Sequence, residues 1–257
     1  MKTIKLILVL AILASPLFSK AQTADEIIEN YFENIGGMDN FKALEGVKMI
    51  AKVNQQGMEI PLEIIQLKDG RQMTIINFQG KQIMQGVFDG ETLWSHNFMT
   101  MKAEKSDAET TENFKLNTND FPDSFIDYRE KGYTVELMGN ETIDGTETFK
   151  IKLVKEPITV DGNKEEDISY YFFDTENFVP IAVQSEIKSG QAKGMIQEIT
   201  MSDYQEIEGL YFPYSMTQGI KDGASNPLTI ESIELNPIVD GAAFVFTKET
   251  VTEEDKK

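Results

Sequence analysis

The sequence predicts an α+β fold in which one curled antiparallel sheet of about eleven strands is capped by an N-terminal helix and a mid-chain helix. Three observations predict it. Apolar residues at helical spacing precede the strands, runs of alternating apolar and polar residues begin at Val47, and turn signals such as "KDG" and "FDG" separate the runs. Because strand twist accumulates, a sheet of this size tends to curl.

The two chain ends differ from the rest. Residues 1–21 run from a short basic start through an unbroken apolar stretch to a small-residue ending, which predicts a secretory signal peptide cut before Gln22. The apolar stretch is shorter than the roughly 20 residues that a membrane helix needs. Residues 248–257 are charged, and we expect them to be disordered. Residues 22–247 are therefore predicted to form one exported domain.

Composition excludes several classes of function. The net charge is −19, and removal of the three signal-peptide lysines makes it about −22, so binding to nucleic acid or to anionic membrane surfaces is not expected. Cysteine is absent. The chain therefore cannot form disulfides, use a thiol nucleophile or bind a metal through thiolates.

The first helix is predicted from Ala24 to Ile35. Thr23 precedes it and Glu26 follows three residues later, as in a capping box. Gly36–Gly37 ends the helix, and a shorter helical turn is expected from Met38 to Leu44. The apolar stripe of this segment must pack against another element.

The strands fall into two groups. Five runs between Val47 and Phe98 predict an antiparallel meander. The polar segment after Phe98 is expected to be a mobile connection, and "DSFIDYREKG", residues 123–132, is expected to be the mid-chain helix. Strand patterns then resume at Tyr133 and continue to Leu235.

Catalytic and metal signals are weak. His96 is the only imidazole and no G-x-S-x-G motif is present, which argues against a Ser-His-Asp site. "DGNKEED", residues 161–167, resembles the start of a calcium loop, but it lacks the glycine at position six and the distal glutamate. A hairpin tip is the preferred interpretation. We therefore predict a non-enzymatic protein with no catalytic residue, no metal and no cofactor.

Five stretches carry a resemblance to a known family: "ADEIIENYFENIGGMDNFKALEGVKMIAKVNQQGMEIPLEI", "VFDGETLWSHN", "YYFFDTENFVPIAVQSE", "MSDYQEIEGLYFPYSM" and "IESIELNPIVDGAAFVF". Together and in this order they resemble the outer-membrane lipoprotein-sorting proteins, relatives of the LolA-like periplasmic lipoprotein carriers. The resemblance covers nearly the whole chain after residue 21.

The resemblance implies an unclosed β-barrel whose apolar interior accepts acyl chains. It further implies a soluble periplasmic carrier or chaperone for lipids or lipoproteins, with inner- and outer-membrane sorting proteins as possible partners, and we expect a monomer. The alternative function within the same fold is a non-carrier envelope binding module or stress sensor.

Methionine and aromatic residues supply the candidates for an apolar cavity, because methionine adapts to varied apolar partners. An ordinary packed core is the alternative explanation for them. Whether Trp94 faces the interior stays open, since a slip of one residue in the strand register reverses its side. The candidates are Met49, Met58, Ile60, Met73, Phe78, Met84, Trp94 and Phe98.

Overall fold

A computed structural model describes residues 22–247, so the predicted signal peptide and charged tail lie outside the described residues. Three helices and fifteen strands are present in this range. The helices are α1 (Ala24–Asn34), α2 (Met38–Lys42) and α3 (Ala108–Asn117), with short 3-10 turns at Thr118–Asp120 and Gly241–Phe244. The strands are β1 (Gly46–Gln55), β2 (Met58–Leu67), β3 (Gln72–Phe78), β4 (Lys81–Phe88), β5 (Leu93–His96), β6 (Ala103–Lys105), β7 (Thr134–Ile143), β8 (Thr146–Val154), β9 (Ile158–Val160), β10 (Asn163–Glu165), β11 (Ile168–Asp174), β12 (Pro180–Glu186), β13 (Ile196–Ile207), β14 (Leu210–Ile220) and β15 (Ser225–Leu235).

Thirteen strands form one antiparallel sheet in the order β6-β5-β4-β3-β2-β1-β15-β14-β13-β12-β11-β8-β7. The remaining two, β9 and β10, form a separate two-stranded ribbon. The sheet ends at β6 and β7, so it is an unclosed barrel, as predicted. The strand count exceeds the predicted eleven chiefly because β6, β9 and β10 have only three residues each and are too short to show alternation.

Helix α1 begins where the sequence predicts. The Thr23 hydroxyl accepts a hydrogen bond from the Glu26 amide at 3.2 Å, and the Glu26 carboxylate accepts one from the Thr23 amide at 2.9 Å. Gly36, at φ +115°, follows the helix, and a Cβ on it would lie 2.1 Å from the Gly209 carbonyl oxygen. Only glycine therefore permits this approach of α1 to the β13–β14 turn.

The mid-chain helix lies earlier than predicted. Helix α3 occupies the polar segment that was expected to be a mobile connection, and residues 124–132 form turns. The Asp107 carboxylate caps α3 by accepting a hydrogen bond from the Thr110 amide at 2.7 Å. In the turn segment, Asp127 adopts φ +48°, which interrupts a right-handed helix. The expected helix at residues 123–132 is therefore wrong.

The two faces of the sheet differ in chemistry. Helices α1 and α2 pack on the face that carries Val47 and Phe212, and we call this the inner face. On the outer face of the central strands, Lys48 and Lys52 form ion pairs across the ladders. None of the helices within residues 22–247 is long and apolar enough to cross a membrane.

The C-terminal segment covers part of the outer face. After β15 the chain crosses β2 to β5, and Phe244 is fully buried there. The Trp94 indole nitrogen donates a hydrogen bond to the Phe244 carbonyl oxygen at 2.9 Å, and the Arg71 guanidinium lies 5.2 Å from the Phe244 ring centre. This arrangement makes a second small core outside the barrel.

Candidate functional site

The inner face carries two contiguous apolar clusters. The covered half lies beneath α1, α2 and the turn segment 121–133, and the open half continues along β1 and β14 and extends onto β2 and β3. The buried residues of the covered half are Ile27, Ile28, Tyr31, Phe32, Ile35, Phe41, Leu44, Val47, Phe125, Ile126, Tyr128, Tyr133, Ile151, Leu153, Phe173, Leu210 and Phe212. The open half consists of Ala51, Leu62, Tyr214 and Ile230, which are buried, and of Met49, Val53, Ile60, Ile64, Ile76, Ile207, Leu228 and Ile233, which are partly buried.

Aromatic rings fill the covered half. The Phe173 ring contacts Tyr31 and Phe125, with ring centres 5.5 and 5.6 Å apart, and Phe41 contacts Phe212 at 5.6 Å. Edge-to-face and tilted contacts of this kind hold rings in fixed positions. The space beneath α1 and α2 is therefore a packed core.

A carboxylate joins α1 to the turn segment within the covered half. The Tyr31 hydroxyl and the Phe125 amide each donate a hydrogen bond to Asp123, both at 2.8 Å. Burial raises the pKa of Asp123 above its ordinary value of 3.8, because desolvation disfavours the charged form more than the two donors favour it. Burial and the nearby Asp123 likewise raise the pKa of Tyr31. This pair positions α1 on the sheet.

The open half has a different composition. Every one of its residues lies on a strand, and no helical residue within the described range belongs to the cluster. Its members are aliphatic side chains and Met49, with Tyr214 as the one aromatic ring. Most of these side chains are β-branched, and Met49 is the one unbranched, adaptable side chain among them. It provides apolar contact and no reactive group.

The strand register decides which predicted residues meet in the open half. Met49 lies opposite Ile64 and both belong to it, as does Ile60, which lies opposite Val53. Phe78 is two residues beyond Ile76 and so lies on the same face. Met58 and Phe98 lie at hairpin tips, with 51% and 60% of their surfaces exposed.

The other three predicted cavity residues lie on the outer face. Met73 and Trp94 are buried there with Phe244, and Met84 packs against the same cluster. Met73 pairs with Ile65 rather than with an inner-face residue, and a bulge between Gln72 and Thr74 shifts the following register. The structure therefore separates these three residues from Met49 and Ile60.

Sequence reasoning missed residues contributed by distant strands. Leu228 and Ile230 of β15 lie opposite Val53 and Ala51 of β1, although about 180 residues separate them along the chain. Alternation alone marks Leu228 and Ile230 as one face of a strand. It does not say that β15 pairs with β1, so their place beside Met49 was not predictable.

Helix α3 is joined to the β9–β10 ribbon. The Asn113 side-chain amide donates to the Thr159 carbonyl oxygen at 2.6 Å and accepts from the Thr159 amide at 2.8 Å. The Glu109 carboxylate accepts hydrogen bonds from the amides of Asp161 and Gly162, both at 2.9 Å. We call these four hydrogen bonds the α3–ribbon contact. They join the segment after edge strand β6 to the segment after β8, beside edge strand β7.

An ion-pair group supports the same junction. The Lys155 ammonium lies 3.0 Å from Asp120 and 3.1 Å from Asp167, and Lys131 lies 3.7 Å from Asp120. These side chains are 15–22% exposed. Burial lowers the pKa of Lys131 despite its acidic neighbours. The group ties the end of α3 to the end of β8.

The weak catalytic and metal signals have structural explanations. His96 Nδ1 accepts a hydrogen bond from the Met84 amide at 3.1 Å. The imidazole therefore takes the place of a backbone acceptor between β4 and β5. The calcium-like segment forms the ribbon, and the amides at its tip bind Glu109. Within residues 22–247, no group of three histidine, aspartate or glutamate side chains is placed to hold a metal ion.

Comparison with known proteins shows the fold. No protein-family model and no curated protein matches the chain. Among solved structures, a putative outer membrane lipoprotein-sorting protein domain from Vibrio parahaemolyticus aligns with a TM-score of 0.52 at 13% identity, over 85% of this chain and 94% of that one. A LolA superfamily protein from Nitrosomonas europaea aligns with a TM-score of 0.52 at 14% identity, over 88% and 99%.

A third structure agrees with these two. A DUF1329 family protein from Desulfovibrio piger aligns with a TM-score of 0.51 at 14% identity, over 81% of this chain and 92% of that one. All three alignments span most of both chains. The fold of this chain is LolA-like.

Proposed function

We propose that this LolA-like protein is a periplasmic carrier or chaperone that shelters the acyl chains of lipids or lipoproteins against the open half of its inner face. One observation carries the proposal: eight of the twelve apolar side chains in the open half are only partly buried, although they lie on the inside of a curled sheet. The adjoining covered half is closed by helices and rings. Partly exposed apolar surface is thus available on the open half, which no helix of residues 22–247 covers.

The free energies of acyl-chain transfer are compatible with a carrier that moves its cargo without a chemical reaction. An acyl chain with about fifteen buried methylenes gains roughly 12 kcal/mol on leaving water, at ~0.8 kcal/mol each. A bilayer offers a similar gain. A carrier that must also release its cargo therefore needs a shallow site rather than a deep one, and the open half offers a partly exposed apolar surface of this kind.

The α3–ribbon contact is the proposed control of access. It joins the segment after edge strand β6 to the ribbon that follows β8, the neighbour of edge strand β7, through hydrogen bonds of exposed or partly buried groups. Such bonds exchange with water at modest free-energy cost. We propose that the contact opens when cargo enters or leaves, while the covered half keeps its packing.

The test compares two neighbouring positions on opposite faces. Met49 lies in the open half, whereas Ile50 lies opposite Glu63 and Ser232 on the outer face. We expect Met49→Gln combined with Ile60→Gln to weaken the binding of a fluorescent fatty-acid analogue by about tenfold or more, since a polar amide displaces apolar contact. Ile50→Gln is the matched control and should bind as the wild type does.

Two outcomes would contradict this function. Absence of acyl species by mass spectrometry after gentle purification, together with no binding of the analogue, would remove the lipid-binding proposal. Binding without transfer to acceptor vesicles would exclude the carrier and favour a lipid-responsive sensor.

A further inference from the structure

The hydroxyl of Tyr214 differs from those of the other buried tyrosines. Four tyrosines are buried within residues 22–247, and three of them are hydrogen-bonded to a carboxylate. The three pairs are Tyr31 with Asp123, Tyr128 with Asp25 and Tyr133 with Asp120. The fourth is Tyr214, which is 8% exposed and whose hydroxyl has no hydrogen-bond partner among the described residues. Because a buried tyrosine ordinarily finds a partner, this exception needs an explanation.

The unpaired hydroxyl is accessible from outside the protein. Within residues 22–247, Asp120 Oδ1 is the one buried side-chain nitrogen or oxygen that solvent cannot reach and that has no hydrogen-bond partner. The Tyr214 hydroxyl is therefore reached by solvent, although its ring is buried among Ala51, Leu62 and Ile230 of the open half. A molecule that lies on the open half can thus accept a hydrogen bond from it.

The strands around Tyr214 carry no charge on the inner face. Inner-face positions alternate along the ranges 47–53 of β1, 60–64 of β2, 210–216 of β14 and 228–233 of β15, and none holds a charged residue. The charged residues of these ranges form ion pairs on the outer face. They are Lys48, Lys52, Glu63 and Glu231.

One acid is level with Tyr214 in the β13–β14 ladder. This residue, Asp203, is exposed, and its carboxylate accepts a hydrogen bond from the Gln205 side-chain amide at 2.8 Å. An anionic ligand group at the Tyr214 hydroxyl would meet this acid and no cation of the inner face. The surroundings therefore disfavour a carboxylate ligand and favour a neutral acceptor oxygen.

Tyr214 also lies at one side of the open half. The open half extends from Tyr214 on β14, across β15, β1 and β2, to Ile76 on β3. Four spacings of about 4.8 Å between strands make this roughly 19 Å. A single acyl chain spans one leaflet of a bilayer, which is about 15 Å of hydrocarbon. One chain that starts at Tyr214 and crosses the strands therefore stays on apolar surface.

We infer that Tyr214 is a specificity-determining residue of the open half, and that its hydroxyl donates a hydrogen bond to the carbonyl oxygen of an acyl ester or amide. The inference rests on the proposed acyl binding and adds which end of the cargo lies on β14. The acyl chain then crosses the strands towards Ile76. An ester or amide carbonyl is an uncharged acceptor, so it meets the hydroxyl without the cost of burying a charge.

The test compares two ligands that differ only in the carbonyl oxygen, 1-palmitoylglycerol and its ether counterpart 1-O-hexadecylglycerol. Each displaces the fluorescent fatty-acid analogue from the protein. We expect the wild type to bind the ester about fivefold more tightly than the ether, as one neutral hydrogen bond allows. Tyr214→Phe keeps the ring, so it should bind the ether as the wild type does and the ester no better than the ether.

Tyr211→Phe is the matched control. Tyr211 lies on the outer face three residues earlier on β14, and its hydroxyl contacts Glu206 at 3.3 Å. This variant should keep the fivefold preference for the ester.

An infrared measurement reports the hydrogen bond itself. With a ¹³C-labelled ester carbonyl, the stretching band of the bound ligand should lie at lower frequency in the wild type and in Tyr211→Phe than in Tyr214→Phe. A side chain that only fills space would leave this band unchanged.

The outcomes separate this inference from the proposed function. Equal affinities of the wild type for ester and ether, or an ester preference that Tyr214→Phe retains, would overturn the inference and leave acyl binding intact. Equal weakening of both ligands in Tyr214→Phe would also overturn it, because the ring would then act by packing alone. A wild type that binds neither ligand would remove the proposed function, and the inference with it.

Discussion

The covered and open halves of the inner face share strands but differ in side chains. Along β14, Phe212 belongs to the covered half and Tyr214 to the open half, and along β1 the change occurs between Val47 and Ala51. Rings interlock beneath α1, whereas aliphatic side chains stand partly exposed beyond it. The difference indicates that one end of the barrel supplies stability and the other supplies adaptable contact.

Phe173→Ala should cause the largest loss in the free energy of unfolding, because it disrupts the packing of the covered half. Phe173 is fully buried among rings, so its truncation leaves a cavity, and we expect a loss of about 3–5 kcal/mol in the free energy of unfolding. The matched variant Ile60→Ala, in the partly exposed open half, should cost about 1 kcal/mol or less. Chemical denaturation measures both values, and equal losses would contradict the division into two halves.

Trp94→Phe tests the outer face against the inner one. The substitution removes the buried hydrogen bond to the Phe244 carbonyl oxygen, which should lower the free energy of unfolding by about 1–2 kcal/mol. Analogue affinity should stay at the wild-type value, since Trp94 lies outside the barrel. If Trp94→Phe lost analogue binding while keeping wild-type stability, the cargo would lie on the outer face, which contradicts the proposed site.

Sequence patterns predicted some of this architecture and missed other parts for physical reasons. The cap at Thr23 and the hairpin turns are local, so adjacent residues specify them. The side on which Met73 and Trp94 lie depends on register and on a bulge, which local alternation does not determine.

Helix α3 shows the same limit in another form. None of its residues is buried, so it lacks the apolar stripe by which a helix is recognised in sequence. Its fixed position depends on the Asp107 cap and on contacts with residues about 50 positions later. Residues 124–132 show the opposite error. Their apolar residues have helical spacing in the sequence, but the structure buries them in a series of turns.

Glu109→Gln tests whether the α3–ribbon contact restrains the ribbon while the covered half keeps its packing. Loss of the carboxylate weakens the two hydrogen bonds from Asp161 and Gly162, by about 1 kcal/mol for these exposed groups. Hydrogen exchange at the ribbon amides should become roughly fivefold faster, while amides of α1 keep their protection. Glu112→Gln, an exposed neighbour on α3, is the control. Unchanged exchange in the ribbon would show that the α3–ribbon contact does not restrain it.

Asp123→Asn should have the smallest effect and should appear as a pH dependence. The pKa of Asp123 is raised in the folded state, so its stabilising contribution is present at pH below the ordinary carboxyl value and is lost as pH rises through the raised value. The variant lacks this loss, so its stability relative to the wild type should increase between acid and neutral pH. Urea unfolding at several pH values measures the difference, and a pH-independent difference would contradict the raised pKa.

Photolabelling with a diazirine-bearing fatty acid tests the central claim most directly. After irradiation and proteolysis, mass spectrometry should place the label on the open half, at Met49, Ile60, Ile64 or Leu228. Label on Phe173 of the covered half, or on Trp94 and Met73 of the outer face, would contradict the claim that the open half holds the acyl chain.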